Sequence, residues 1–106
     1  MKAIRYHILL ALAGGSLHGA EIRRRVEEDS DGEVVLYPAT LYGTLDDLAR
    51  AGWIDEVMPE DAAPDQTRWR FYALTPEGRR AVEAETLRLE AVLGRARATL
   101  RTAEGG

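Results

Sequence analysis

Residues 38–58 read PATLYGTLDDLARAGWIDEVM, and a change of period inside this stretch decides the fold. Leu41, Leu45 and Leu48 recur at i, i+4 and i+7, the spacing of one apolar helix face. Pro38 suits the first position of that helix, where its missing N–H removes no bond, and Gly52 ends it. From Trp53 the helical period is lost. WIDEVM (53–58) is rich in aromatic and β-branched residues and alternates in part, as does TRWRFYAL (67–74). The PEDAAPDQ between them is polar and carries two prolines. This pattern predicts a β-hairpin with an exposed tip, set directly behind a helix.

Upstream, KAIRYHILLALA (2–13) places apolar side chains at Ile4, Ile8, Leu9 and Leu12, on more than one helical face, and Gly14-Gly15 supplies the stop. A partner subunit is the economical cover for the second face. Ser16 to Gly19 leads into AEIRRRVEED, where Ile22 and Val26 form an i, i+4 stripe, and Ser30-Asp31-Gly32 breaks it. Glu33 to Tyr37 reads as a short extended piece. Three short helices with a compact last connection give a helix-turn-helix, and the hairpin behind them is a wing.

Downstream, Thr75-Pro76-Glu77 restarts a helix with an N-cap, a proline and an acid in the first turn. Up to about Ala103 only Gly94 interrupts it, which gives a length of roughly 40 Å at 1.5 Å per residue. Val82, Leu89 and Ala96 recur every seven residues, as do Thr86, Leu93 and Leu100, in a coiled-coil-like seam. The expected fold class is mostly α (α+β). A winged helix-turn-helix DNA-binding domain spans 1–75, and a C-terminal dimerisation helix spans 76–106. Ile4, Ile8, Val82, Leu89, Leu93, Ala96 and Leu100 are the expected dimerisation residues.

The totals narrow the function. The chain's 106 residues suit one core, and the absence of cysteine removes disulfides, thiolate metal sites and thiol nucleophiles. The longest apolar run, Ile8 to Ala13, is too short to cross a bilayer and reads as part of a mature first helix. A cytoplasmic location is the expectation. No nucleophile elbow, phosphate loop or zinc-hydrolase motif occurs, so no enzyme, metal or cofactor is expected. The net charge of −4 runs against general nucleic-acid affinity, and five acids fall between Asp55 and Asp65. The basic groups, however, are almost all arginine, the better partner for phosphate and guanine.

Leu17-His18-Gly19-Ala20-Glu21-Ile22, Pro38-Ala39-Thr40-Leu41-Tyr42, Leu45-x-x-Leu48, Gly52-Trp53-Ile54 and Phe71 to Gly78 occur in an order and spacing that resembles the PadR family of bacterial transcriptional regulators. The similarity runs from about Ile8 to Gly78, and the short C-terminal helix resembles that of the family's smaller subgroup. The resemblance implies a homodimeric winged-helix repressor on double-stranded DNA. Some relatives respond to phenolic acids or multidrug-like cations, which implies a small hydrophobic or aromatic effector as a further partner. It places Thr40, Tyr42 and Gly43 on the recognition helix and Arg68 and Arg70 on the wing. Ala20 departs from the family's usual aromatic, and Asp46-Asp47 stand where basic or polar residues are common.

The residues themselves support those roles and leave alternatives open. With the three leucines inward, Ala39, Gly43, Asp47 and Arg50 point outward, and Thr40 and Tyr42 lie on the flanks. Thr40 can meet a base or phosphate, Tyr42 can donate to phosphate, and Gly43 lets a backbone approach closely. Alternatively, Thr40 supports the first turn and Tyr42 packs on the wing. Arg68 and Arg70 share a strand face suited to phosphate, or pair with Asp55 and Glu56 across the hairpin. His18 can offer a ring N–H to phosphate where the second helix begins, or fix the turn by capping or packing. His7 reads as an interface or core residue, and Trp53, Trp69, Phe71 and Tyr72 as core and wing packing. The expected function is a homodimeric repressor on an inverted-repeat operator, released by a small aromatic ligand. The alternative is a winged-helix module for protein or ligand binding that has lost DNA affinity.

Overall fold

The computed structural model describes residues 1–66 and 69–105. The elements follow in the order α1 (Ala3–Ala13), β1 (Leu17–His18), α2 (Gly19–Asp29), α3 (Pro38–Arg50), β2 (Ile54–Val57), a 3-10 turn (Pro64–Gln66), β3 (Phe71–Leu74) and α4 (Pro76–Gly105). The expected mostly α winged helix-turn-helix is the fold found. The hairpin strands are shorter than the sequence pattern suggested, and the piece before α3 is extended without joining the sheet. Arg70 therefore precedes the described β3 ladder and does not sit within a strand. The sheet has a third member that the pattern did not reveal: Leu17 and His18 pair antiparallel with Tyr72 and Phe71, in strand order β1-β3-β2. Two residues are too few to show a period of two.

Local chemistry explains the boundaries. α3 ends in a paired closure in which Trp53 N–H donates to the Leu48 carbonyl and Gly52 N–H to that of Ala49, both at 3.0 Å. Gly52 takes φ +81°, the left-handed conformation this closure requires. Thr75 then ties the hairpin's end to the end of α3. Its hydroxyl donates to the Gly52 carbonyl at 2.7 Å and accepts from Gly78 N–H at 3.0 Å, capping α4. A β-carbon at Gly78 would collide with the Trp53 carbonyl, so α4 can start this close to the wing only with glycine there.

The core draws on every layer: Ile8, Leu9 and Leu12 of α1, Ile22 and Val26 of α2, the three leucines of α3, Ile54, Tyr72 and Val82. Two expected dimerisation residues, Val82 and Ile8, pack in this core at 3 % and 0 % exposed within the single chain, and Val82 also borders a groove between α1 and α4. The inward face of α1 accounts for Ile8. Its buried face carries Ile8, Leu9, Ala11 and Leu12, Ile4 packs half-buried against it, and the apolar residue left outward is Leu10. The first turns of α4 lie on α1, where the Tyr6 and Thr86 hydroxyls bond at 2.8 Å. Leu89 is half-buried, and every α4 residue from Glu90 to Ala103 is exposed, including Leu93, Ala96 and Leu100. The molecule measures 63 × 27 × 23 Å, its long dimension far exceeding what the core needs.

Candidate nucleic-acid interface

α3 buries its leucines and turns Thr40, Tyr42 and Gly43 outward, as the helical wheel requires. Tyr37, its N-cap, makes no side-chain capping bond. The N–H groups of the first turn thus remain open to an outside acceptor, with the positive end of the helix dipole behind them. Thr40 is exposed, and among the described residues its hydroxyl makes no hydrogen bond, the Thr44 hydroxyl donating to its backbone carbonyl at 2.7 Å. A β-carbon at Gly43 would meet nothing within 4 Å, so no contact inside the chain calls for glycine at that site.

Tyr42 reaches back toward α2. A β-carbon at Gly19 would overlap its hydroxyl, and so Gly19 forms a seat for the phenol at the first residue of α2. His18, just ahead, is the N-cap of α2 without a side-chain capping bond. Its ring instead lies 4.5 Å from Trp69, tilted by 58°, and 5.5 Å from Phe71, edge-on. His18 thus holds the turn by packing and not by capping. His18, Gly19, Ala20, Tyr42, Trp69 and Arg70 together line a cavity of about 500 Å³ open to solvent.

Arg70 donates from Nε to the Glu56 carboxylate at 3.1 Å, and its Nη2 lies 3.8 Å from Asp46 of α3. Its guanidinium carbon stands 5.6 Å over the Tyr72 ring. The bond to Glu56 and the neighbouring ring raise its pKa further above an already permanent charge. Burial pushes the Tyr72 phenol upward. Arg70 thus braces the wing against α3 while still facing the cavity. Asp47 is likewise matched, with Arg5 at 3.7 Å and Arg50 at 3.8 Å. The two acids on α3 are therefore held among arginines, and the charge they show a duplex is reduced. The wing tip offers no such compensation among the described residues: Glu60, Asp61 and Asp65 are exposed there.

The fold thus gathers His18, Tyr42 and Arg70 around one cavity and leaves Thr40 and Gly43 on the neighbouring open face of α3. Arg68 lies outside the described residues. Sequence reasoning missed Gly19 as the seat of Tyr42 and Trp69 as part of the rim, exposed at 41 %. The adjacent His-Gly pair was a signal for the first. For Trp69 the only signal was an aromatic in an otherwise polar run. No His/Asp/Glu group among the described residues could hold a metal ion, and no helix is long and apolar enough to cross a membrane.

The family model described as transcriptional regulator PadR-like matches residues 8–84. No curated protein matches the sequence. Among solved structures, a PadR family transcription regulator from hypervirulent Clostridium difficile R20291 superposes with a TM-score of 0.78 at 20 % identity, covering 93 % of this chain and 99 % of that one. RosR of H. salinarum is 32 % identical with a TM-score of 0.66, over 90 % and 76 % of the two chains. Bacillus subtilis PadR, solved in complex with operator DNA, is 22 % identical with a TM-score of 0.67, over 81 % of this chain and 46 % of that one.

Proposed function

Because the chain belongs to the PadR-like family of transcriptional regulators, we propose that it is a sequence-specific DNA-binding repressor, acting as a cytoplasmic homodimer on an inverted-repeat operator. The observation that carries this reading is the open N-terminal face of α3, with Thr40, Tyr42 and Gly43 outward and the Tyr42 phenol seated on the start of α2. That end of a recognition helix is the part that enters a major groove, and the adjoining helix start suits a backbone phosphate. Thr40 and Gly43 then face the groove, Tyr42 and His18 lie toward the phosphates, and Arg70 supports them from the wing with its remaining donors. The complex formed by B. subtilis PadR is the precedent for operator DNA as ligand.

Dimerisation is the part of α4 beyond the core. Leu93 and Leu100 are 50 % and 64 % exposed, and nearer the start of α4 a groove of about 380 Å³ opens between the helix and α1, lined by Leu10, Ala13, Val82, Thr86 and Leu87 with Arg79 and Glu83. A second copy's α4 covers both, so residues 76–106 serve as the dimerisation helix and residues 1–75 as the DNA-binding unit. A small aromatic effector finds room beside Trp53, Arg5 and Arg88, where a cavity of about 570 Å³ lies between α1 and α4. An effector there would act on the angle between the two DNA-binding units.

The acidic wing tip and the net charge of −4 favour the second reading, a winged-helix module without DNA affinity. Selection of genomic fragments followed by footprinting separates the two. The proposal expects a two-fold symmetric footprint with half-sites ~10 bp apart, centre to centre. Failure to enrich any fragment, or a single unpaired half-site, rejects it.

A further inference from the structure

Among the exposed large apolar residues of the described chain, Tyr37 is the most open, at 70 %, and Val35 beside it is 45 % exposed. Both sit immediately before α3. Leu36 between them is 1 % exposed and anchored in the core, so the segment alternates outward, inward, outward. The backbone at Tyr37 is extended, φ −82° and ψ 153°, and Pro38 restricts it to that region. The phenol is therefore carried on a backbone fixed from both sides. Among the described residues its ring and hydroxyl have no hydrogen-bond or ring partner. An aromatic so held, and so little used by its own chain, is placed to be covered by something else. Its position says by what. It flanks the uncapped start of α3, next to Thr40, on the surface that the proposed function turns to the duplex.

Resting on that reading, we propose that Tyr37, with Val35, is a specificity-determining contact of the DNA interface, its ring covering a thymine methyl group at the edge of the major groove. The chemistry is suited to that ligand. A methyl is the one apolar group the major groove displays, and apolar side chains recognise it without a hydrogen bond. A purely electrostatic contact would call for a cation here, and residues 33–42 contain none.

The test uses the full chain and a randomised duplex library. Wild-type protein and Tyr37→Ala each select DNA, and both are then titrated against the best wild-type site and a random duplex at matched salt. The expected result is about a tenfold loss on the selected site, the scale of one lost base contact, with less than a twofold change on random duplex. Tyr37→Phe, which keeps the ring, stays within twofold of wild type on both. Replacing thymines one at a time by deoxyuridine in the selected site weakens wild-type binding severalfold at one position and leaves Tyr37→Ala unaffected there. Equal selection by wild type and Tyr37→Ala overturns the inference while leaving DNA binding intact. An equal loss on both duplexes overturns it too, since that marks a backbone contact. A shift of Tyr37→Ala from dimer to monomer in sedimentation would assign the ring to a second subunit instead. Wild-type protein that selects nothing sinks the DNA reading itself, and this inference with it.

Discussion

Gly19→Ala tests whether the seating of Tyr42, and not its presence alone, matters for DNA binding. The added methyl would lie 3.0 Å from Cζ and 3.3 Å from Cε1 of Tyr42, and closer still to the hydroxyl. Carbon contacts settle near 3.5–4.0 Å, so the ring has to withdraw by roughly 0.5 Å or more. The ring is the end of a flexible side chain on an exposed position, and a displaced rotamer costs roughly 0.5–1.5 kcal/mol. Replacing glycine where φ is negative returns about 0.4–1 kcal/mol through the unfolded chain. The two terms nearly cancel, and stability in urea should stay within about 1 kcal/mol of wild type. Binding has no such offset. A hydroxyl donating to a phosphate contributes roughly 1.5–3 kcal/mol, so its displacement weakens each half-site by roughly ten- to a hundredfold. The assay is operator titration of Gly19→Ala, Tyr42→Ala and the double variant. If the mechanism is right, the double variant binds no worse than Tyr42→Ala alone. Additive losses in that cycle, or wild-type affinity in Gly19→Ala, would refute the argument.

Three further outcomes are expected. Glu56→Gln combined with Asp46→Asn frees the Arg70 guanidinium and should raise affinity for any duplex, with a log–log salt slope steeper by up to about one unit; titrations across salt concentrations check it, and unchanged affinity would mean that Arg70 only braces the wing. Glu85 of α4, bonded twice by Arg88 at 2.7 Å, has its carboxyl lowered by those bonds from 4.5 to about 2. Its stabilising contribution is therefore present above pH 4.5 and is lost as the pH falls from there through about 2, so thermal melts of Glu85→Gln should show a flatter acid limb than wild type. Leu93→Asp places two related carboxylates in the proposed apolar interface and should leave a folded monomer at micromolar concentration by sedimentation, while a variant that stays dimeric would place the interface elsewhere.

Much of this architecture is visible in the sequence because its periodic stretches are long. Leu41, Leu45 and Leu48 set the inward face of α3 without help from tertiary contacts, and Thr75-Pro76 marks the start of α4. The features that were not visible depend on distant partners. Leu17 and His18 become a strand only because Tyr72 and Phe71 lie beside them. Likewise, nothing near Arg70 in sequence announces Asp46, which lies on another element and meets it only after the hairpin folds onto α3. The site residues on α3 follow from a helical wheel, whereas their grouping with His18 and Trp69 needs the sheet.

The apolar seam of α4 shows that a period alone does not name the partner of a helix face. Val82, Thr86 and Leu89 do lie on one stripe with Leu93, Ala96 and Leu100, but a repeat states which residues share a face and not what that face meets. In the folded chain the stripe changes partner along its length. Val82 enters the core and Thr86 bonds Tyr6 of α1, whereas Leu93 and Leu100 stand beyond the last residue that α1 covers. The same division runs through α1, where Ile8 turns inward and Leu10 joins Leu87 on the outer groove. In the proposed dimer, a face that begins in the core of one copy and continues into open solvent would give the second copy a fixed register, because the start of the exposed stretch is set by the core itself. The spacing between the two recognition helices would then follow from where the core ends on α4, and a change at Leu10 or Leu87 would alter that spacing without touching a residue proposed to face DNA.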